Sequence, residues 1–448
     1  MLRSLWILFV FLAFIGLGFQ TPFVLTLGYV WVDTFRPQDV SYIILNQVPV
    51  AMIVGSLAIV LYAMFDHRDP PRLRLITVLQ VAFAIWVTLT TTWAAFPDDA
   101  WAKWSWAVKT ILFSAFIPFA IRSRIQIEAF LQVYMFSLAA NLIPFGVKMV
   151  ISGGGYGQNL GLAGGNSGLA EGSTLAAVSI MTIPVYLFLR QHSIIAPKAF
   201  WFRSIYLGLA VLSGLTSLGT FERTGLVGLV VLGILMFLKS RRKVLTLFVG
   251  LVAALAVAYT TSDAWTSRIS TISDFQTENS ALARLLVWRW TVQFATEHPL
   301  GGGFDAYHLD HVEFENGEMK FGVAFHSIYF EVLGEHGWIG LALFVSLAIL
   351  SLIALQKAAK EARRHPELQW CSDLAGTIQI SLIVMMVCGS FVGIAFQPMI
   401  HYLFAMAVCV SEYVRRAVLT LQPADKPTRA WAPRLPMPRE GHTIQRQK

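Results

Sequence analysis

Arg284 and Trp288 share one face of a predicted helix, and Arg284 on that face could hold an anion. Arg284 and Trp288 lie four positions apart in Ser280–His298, whose pattern predicts a helix ended by Pro299. Residues at that spacing share one helix face, whereas Arg289 points about 140° away from Arg284. A guanidinium stays charged and presents its donors in a fork that matches phosphate oxygens. Arg284 is therefore predicted to bind an anion, and a lipid-headgroup anchor is the alternative.

Arg223 stands in FERTG, between two apolar runs. A charge at bilayer depth costs roughly 3 kcal/mol on insertion scales, so an anionic group is expected beside it. The neighbouring Glu222 offers a structural ion pair, although adjacent residues on a helix point about 100° apart. The sequence leaves both a ligand and this ion pair open for Arg223.

His326 begins the stretch HSIYFEVLGEHGWIG, where a helical pattern containing Tyr329 starts. Histidine titrates near neutral pH and can act as a general base. An ordinary hydrogen-bonded histidine is the alternative. Glu222 and Glu331 are rival bases, because a desolvated carboxylate can acquire a pKa nearer to the operating pH.

Neither a metal nor a cofactor is predicted. His308 and His311, with Asp305 and Asp310, fit no strong metal-ligand spacing. The glycines of the segment 152–167 could bind phosphate through backbone amides, but a flexible loop is the favoured interpretation. The cysteines are too far apart in sequence for a metal site or a disulfide framework, and they are Cys371, Cys388 and Cys409.

Composition identifies lipid as the solvent of the chain. Of its 448 residues 56% are hydrophobic and 13% are charged. A bilayer core about 30 Å thick needs roughly 20 apolar residues per helix, and such runs recur along the sequence. The first run, Leu5–Phe19, is predicted to be an uncleaved anchor. Over 20–40 the apolar sequence forms two short runs, broken by Pro22 and Gly28, which cannot both cross the membrane. A re-entrant hairpin is therefore predicted there, giving about twelve transmembrane helices.

The positions of Lys and Arg predict the orientation in a bacterial inner membrane. Basic loops stay in the cytoplasm. They account for the net charge of +8 without implying nucleic acid. The segments predicted to be cytoplasmic, besides both termini, are 67–74, 122–124, 190–203, 239–243, 357–364 and the tail from Arg415. The segments predicted to be periplasmic, where the chemistry is expected, are 97–103, 152–172, 219–223 and 261–325.

The motifs resemble those of the bacterial O-antigen ligase and polymerase superfamily. The matching pattern is an arginine that opens a membrane helix, followed by R-x3-W, P-x-G-x-G and H-[NS]-x-Y-x5-E-x-G. Its residues here are Arg223, Arg284, Trp288, Pro299, Gly301, Gly303, His326, Tyr329, Glu335 and Gly337. The amino-terminal half, with GFQTPFVLTLGYVWVDTFRPQ, is similar to the putative O-glycosylation ligases associated with exosortase systems. Glu222 and Ser327 depart from the residues frequent in the family, which leaves the acceptor open.

The resemblance implies an all-α polytopic fold of the GT-C type. It also implies inverting, metal-independent transfer of a glycan from undecaprenyl pyrophosphate to an acceptor hydroxyl, of the lipid A core or of a protein. The residues expected to be catalytic are His326, Arg284 and Arg223. Those expected to bind substrate are Arg289, Trp288, Tyr329 and Glu222.

Three parts of the chain are predicted. They are an amino-terminal bundle (1–204), a ligase-type region (205–420) that includes the periplasmic segment, and a disordered tail (421–448). Alternatives of the same chemistry are an O-antigen polymerase and a protein O-glycosylation ligase. A lipid-linked glycan transporter is the alternative of another class, favoured by the broken segments but not by any inverted repeat.

Overall fold

The computed structural model describes most of the chain. The residues described are 2–41, 45, 47–68, 70–152, 169, 171–240, 243, 279–313 and 319–421. The glycine-rich stretch 153–168, most of the apolar run 243–260 and the tail 422–448 lie outside them, as do the predictions made for these segments.

The apolar runs within the described residues form helices over most of their length, because apolar side chains face lipid or neighbouring helices and the helix satisfies its own backbone. The helices are α1 (Leu2–Gln20), α2 (Pro22–Phe35), α3 (Pro37–Val40), α4 (Val50–Phe65), α5 (Leu75–Thr91), α6 (Pro97–Ala120), α7 (Arg124–Ser152), α8 (Gly172–His192), α9 (Phe200–Gly219), α10 (Arg223–Lys239), α11 (Asn279–Glu297), α12 (Ile328–Ala362), α13 (Gln369–Cys388) and α14 (Pro398–Leu421). The almost wholly buried α8 packs against α7, α9, α10 and α13.

The described part contains six helical segments long and apolar enough to cross a membrane, and these support a multi-pass membrane protein. Two shorter apolar helices, α4 and α5, accompany them. The six are Leu2–Gln20, Arg124–Ile151, Gly172–His192, Phe200–Gly219, Ile328–Ala362 and Pro366–Phe391.

Basic residues gather at one end of the bundle, which we call the basic face. Arg124 donates to the carbonyl of His192 at 3.1 Å, and Arg416 donates to the carbonyl of Arg122 at 3.4 Å. Arg74 forms an ion pair with Glu412. Loops separated by hundreds of residues therefore share a face, as their common charge predicted.

The re-entrant hairpin predicted over 20–40 was wrong. The turn at Gln20 lies at the basic face, in a pocket with Asp66 and Gln126. From there α2 runs antiparallel to α1, with Phe14 and Trp31 in ring contact at 5.5 Å. Proline is tolerated in the first turn of a helix, where its missing N–H is not needed, so the proline at the start of α2 breaks nothing.

The two ends of the described bundle lie on opposite faces, so the prediction that both lie on one face was also wrong. Helix α1 ends at the basic face, so it begins at the opposite end of the bundle, which we call the site face. Helix α14 ends beside Arg122 at the basic face. The predicted loop 97–103 is likewise the first part of α6, begun by a proline at the site face.

The segment before α12 is partly helical and partly extended. Helix α11 forms where the pattern predicted it, and Val287 packs on Phe325 and Val312 in a small second core. The strands β1 (His311–Glu313) and β2 (Met319–Phe321) pair antiparallel, with His311 opposite Phe321. The all-α prediction describes the bundle but misses this two-stranded sheet.

Candidate functional site

Three helix starts converge at the site face. Glu171 and Glu222 occupy the N-cap positions of α8 and α10 without capping hydrogen bonds from their side chains, and Ser173 Oγ donates to Glu222 Oε2 at 3.1 Å. His326 lies two residues before α12, with its Nδ1 3.8 Å from Glu171 Oε1. The positive ends of helix dipoles favour anionic groups at such a place. We call these four residues and Arg284 the histidine cluster.

His326 is held in an unusual backbone conformation. Its φ is +48°, in the left-handed region that a non-glycine residue rarely adopts. Such strain costs of order 1–3 kcal/mol and often accompanies functional sites. The side chain keeps 35% of its surface exposed. The imidazole is therefore both fixed in direction and open to a ligand.

Arg284 supplies the positive charge of the cluster. Its Nε is buried and has no hydrogen-bond partner in the described part of the chain. Burial lowers the pKa of His326, and the Arg284 charge lowers it further, while the Glu222 charge opposes this shift. The histidine therefore tends to be neutral, as a general base must be, and the arginine retains a donor for an anion.

Burial also acts on Glu171. It raises the pKa of this carboxyl, and Thr174 Oγ1, which donates to it at 3.2 Å, and the Arg284 charge oppose the rise. Sequence reasoning missed Glu171, which follows the glycine-rich stretch. The available signal was an ionisable residue directly before an apolar run.

Arg223 opens α10, as predicted, directly after the N-cap residue Glu222. Phe221 before them also has a left-handed backbone, with φ +53°. The turn therefore brings Glu222 to Ser173 and leaves Arg223 in the first turn of the helix, at the site face.

Trp288 and Tyr329, both predicted to bind substrate, instead make hydrogen bonds within the protein, and Trp288 bonds the residue next to His326. Trp288 Nε1 donates to the carbonyl of Phe325 at 2.8 Å, and its ring stacks on Phe330 at 5.0 Å. Tyr329 donates its hydroxyl to the carbonyl of Met386 at 3.1 Å, which ties α12 to α13.

The structure does not bring Arg289 to the cluster. It lies on the exposed side of α11 with Leu285 and Val292, whereas Val287 and Thr291 face the interior. The angle predicted between Arg284 and Arg289 accounts for this separation.

A second charged group, which we call the Lys103 cluster, was missed as a unit. Lys103 Nζ lies 2.8 Å from Glu335 Oε1, 3.1 Å from Glu331 Oε1 and 3.5 Å from Asp305 Oδ1. Glu331 Oε2 also accepts from the amide of Ala395 at 3.0 Å. Glu331 is thus already paired, which disfavours it as the rival base. The available signal was a lysine near the start of a membrane helix.

The P-x-G-x-G motif at Pro299–Gly303 packs its backbone directly against the E-x-G motif at Glu335–Gly337. Gly337 interrupts α12 with φ +64° and ψ −166°, and a Cβ there would lie 2.1 Å from the carbonyl oxygen of Pro299. Gly303 donates its amide to the carbonyl of Glu335 at 2.8 Å, and Trp338 donates to that of Pro299 at 3.1 Å. Only glycine permits this close approach of two backbones.

The residues weighed as metal ligands are dispersed. Asp305 pairs with Lys103, and Asp310 Oδ1 accepts from the amide of Val323 at 3.0 Å. Among the described residues no group of three or more His, Cys, Asp or Glu side chains is arranged to hold a metal ion.

Family comparison covers most of the chain in two parts. Residues 2–194 match a family of unknown function, DUF5935, and residues 208–345 match the family described as O-antigen ligase. The second match contains Arg223, Arg284 and His326. No curated protein matches the chain.

Residues 208–345 form a domain of the O-antigen ligase family, which confirms the resemblance predicted from the motifs. Members of this family are membrane enzymes that act in O-antigen assembly. The predicted closeness to exosortase-associated ligases stays a prediction.

Proposed function

We propose that the protein is a glycosyltransferase of the O-antigen ligase type. It moves a glycan from undecaprenyl pyrophosphate to a hydroxyl of the lipid A core oligosaccharide. The observation that carries this proposal is that Arg284 Nε has no hydrogen-bond partner in the described part of the chain and lies near a partly exposed His326 whose pKa is lowered. An anion and an acceptor hydroxyl are the two groups such a pair suits.

In the proposed reaction the acceptor oxygen attacks the anomeric carbon. The bond from that carbon to the pyrophosphate oxygen breaks, and its electron pair leaves with the pyrophosphate. His326 takes the hydroxyl proton, while Arg284 and Arg223 stabilise the charge that develops on the leaving group. A single displacement inverts the anomeric centre, and no metal takes part.

The proposed orientation puts the basic face in the cytoplasm and the site face in the periplasm of the inner membrane. The support is the gathering of basic loops around Arg74, Arg122 and Arg124 at one end of the bundle. The carrier lipid then reaches the histidine cluster from the bilayer.

The test is transfer by purified protein in nanodiscs, with a carrier-linked glycan and a panel of acceptors. Arg284→Ala should lower the transfer rate about a hundredfold, because one charge-assisted contact in the transition state is lost. Arg223→Ala and His326→Ala should also transfer poorly. The matched control is Arg289→Ala, which removes an arginine from the exposed side of the same helix and should transfer like wild type.

The products separate the alternatives. Transfer to lipid A core supports the proposal, and normal transfer by Arg284→Ala contradicts it. Transfer to protein hydroxyls alone identifies a protein O-glycosylation ligase, and lengthening of carrier-linked chains identifies a polymerase. Movement of carrier-linked glycan across the membrane without any transfer identifies a transporter.

A further inference from the structure

A cavity of about 520 Å³ adjoins the histidine cluster. Its wall is built by α2, α3, α6, the start of α4 with the segment before it, the start of α8, and the loop between α13 and α14. Its volume falls in the range of about 300–1,000 Å³ typical of small-ligand sites. Glu171 belongs to this wall and also lies 3.8 Å from His326. The cavity therefore leads to the histidine cluster.

The charges of the wall do not suit a pyrophosphate. Its cations are Arg36 and Lys109, and its carboxylates are Asp33, Asp39 and Glu171. Cations and carboxyls are mixed in this wall, so no excess of positive charge is present to hold a multiply charged anion. A neutral ligand needs no such excess and can use both kinds of group.

Two amide oxygens in the wall lack hydrogen-bond donors. Gln38 Oε1 and Gln397 Oε1 are buried and have no partner in the described part of the chain. A buried acceptor left unpaired is costly, so a ligand that donates hydrogen bonds is favoured there. Hydroxyl groups donate, whereas ionised phosphate oxygens only accept.

The remaining wall completes a site for a polyhydroxylated ligand. Arg36 and Lys109 offer donors to hydroxyl oxygens, and Trp106 offers an apolar surface. Asp33 already accepts from the hydroxyls of Tyr402, at 2.6 Å, and Thr110, at 3.2 Å. Asp33 is therefore already engaged, and the unpaired acceptors of the wall among the described residues are the two glutamine oxygens.

We propose that the cavity binds the saccharide part of the acceptor, with Gln38 and Gln397 accepting hydrogen bonds from its hydroxyls. The inference rests on the proposed function and deepens it, because it locates the site that holds the acceptor saccharide. A saccharide seated there extends past Glu171 and presents a hydroxyl to His326. The amino-terminal half, whose matched family has no known function, then supplies most of the acceptor site.

The test measures saccharide binding without donor. Core oligosaccharide from which lipid A has been removed is titrated into the full chain in nanodiscs, and binding is measured by calorimetry. Gln38→Leu and Gln397→Leu should each weaken binding about tenfold, since each loses a hydrogen bond in a buried site. In the transfer assay both should raise KM for the acceptor and leave kcat and the donor KM unchanged. Gln369→Leu, at the basic face, is the matched control.

Gln38→Glu keeps an acceptor oxygen and should bind better than Gln38→Leu, which separates a lost contact from a damaged fold. Unchanged affinity in both leucine variants, absence of saccharide binding to wild type, or displacement of the saccharide by inorganic pyrophosphate overturns the inference. Binding that follows these expectations without any transfer leaves the cavity assignment standing and removes the proposed function. If the glutamine variants transfer glycan with the acceptor KM of wild type, the proposed function stands and the cavity assignment is wrong.

Discussion

The histidine cluster and the Lys103 cluster lie near each other on the site face, yet they use their cations differently. Lys103 has carboxylate oxygens of Glu335, Glu331 and Asp305 at 2.8, 3.1 and 3.5 Å. Arg284 keeps a buried Nε with no partner in the described part of the chain. A cation already surrounded by carboxylates fixes a structure, whereas a cation with an unmet donor is available to a ligand.

Exposure separates the two clusters in the same way. The Glu335 side chain is 0% exposed and that of His326 is 35% exposed. Glu335 Oε1 also accepts from the amide of Asp305 at 3.0 Å, so it joins α6, the segment after α11, and α12. The Lys103 cluster is therefore a buried contact between three segments, and the histidine cluster is accessible to a ligand.

The largest effect is expected from removing the cation of the Lys103 cluster, and it is an effect on stability. Lys103→Met removes the cation and leaves Glu335 and Glu331 buried without it, which destabilises a structure by about 3–5 kcal/mol. The folded yield and the melting temperature in detergent should fall sharply. A variant that melts like wild type would contradict the assignment of this cluster to structure.

A double variant provides the control. Lys103→Met with Glu335→Gln removes one of the stranded charges, so part of the lost melting temperature should return. If the double variant is no more stable than the single one, the cost does not come from the unpaired carboxylate.

The fold followed from the sequence wherever one local rule applied. Apolar runs gave the helices, and the charge of the loops gave the basic face shared by Arg74, Arg122 and Arg124. The prediction over 20–40 failed because a proline was taken as a break, although it stands at a helix start, where it is tolerated.

The candidate site was predicted only in part. Arg284, Glu222 and His326 were found from residue type and position, and the structure brings them together. Glu171 and Lys103 were missed because their partners lie far away in sequence, at His326 and Glu335. Such pairings depend on helix packing and leave no local spacing to read.

The pH dependence of transfer sharpens the contrast at His326. If a neutral imidazole takes the proton, the rate falls only when the pH drops through the lowered pKa of His326. The Arg284 charge lowers that pKa and the Glu222 charge raises it. Arg284→Gln should therefore move the acid limb of the kcat/KM profile to higher pH, and Glu222→Gln should move it to lower pH.

These opposite shifts distinguish the two candidate bases. Glu222→Gln keeps the imidazole, so transfer should persist at neutral pH. Loss of transfer together with loss of the acid limb in this variant would assign the base to Glu222. Acid limbs that coincide with that of wild type in both variants would show that His326 does not control the profile.

The smallest effect is expected from Trp288, whose indole only positions the histidine. Trp288→Phe loses the hydrogen bond to the carbonyl of Phe325 and retains an aromatic ring over Phe330. Because a single hydrogen bond contributes about 1 kcal/mol, kcat should fall by roughly fivefold, with a similar KM for the donor. Tyr329→Phe is the matched control, since it also removes one donor to a backbone carbonyl, that of Met386, away from the imidazole. Equal loss of kcat in both variants would mean that Trp288 acts through general stability, whereas a loss confined to Trp288→Phe would show that the orientation of His326 limits transfer.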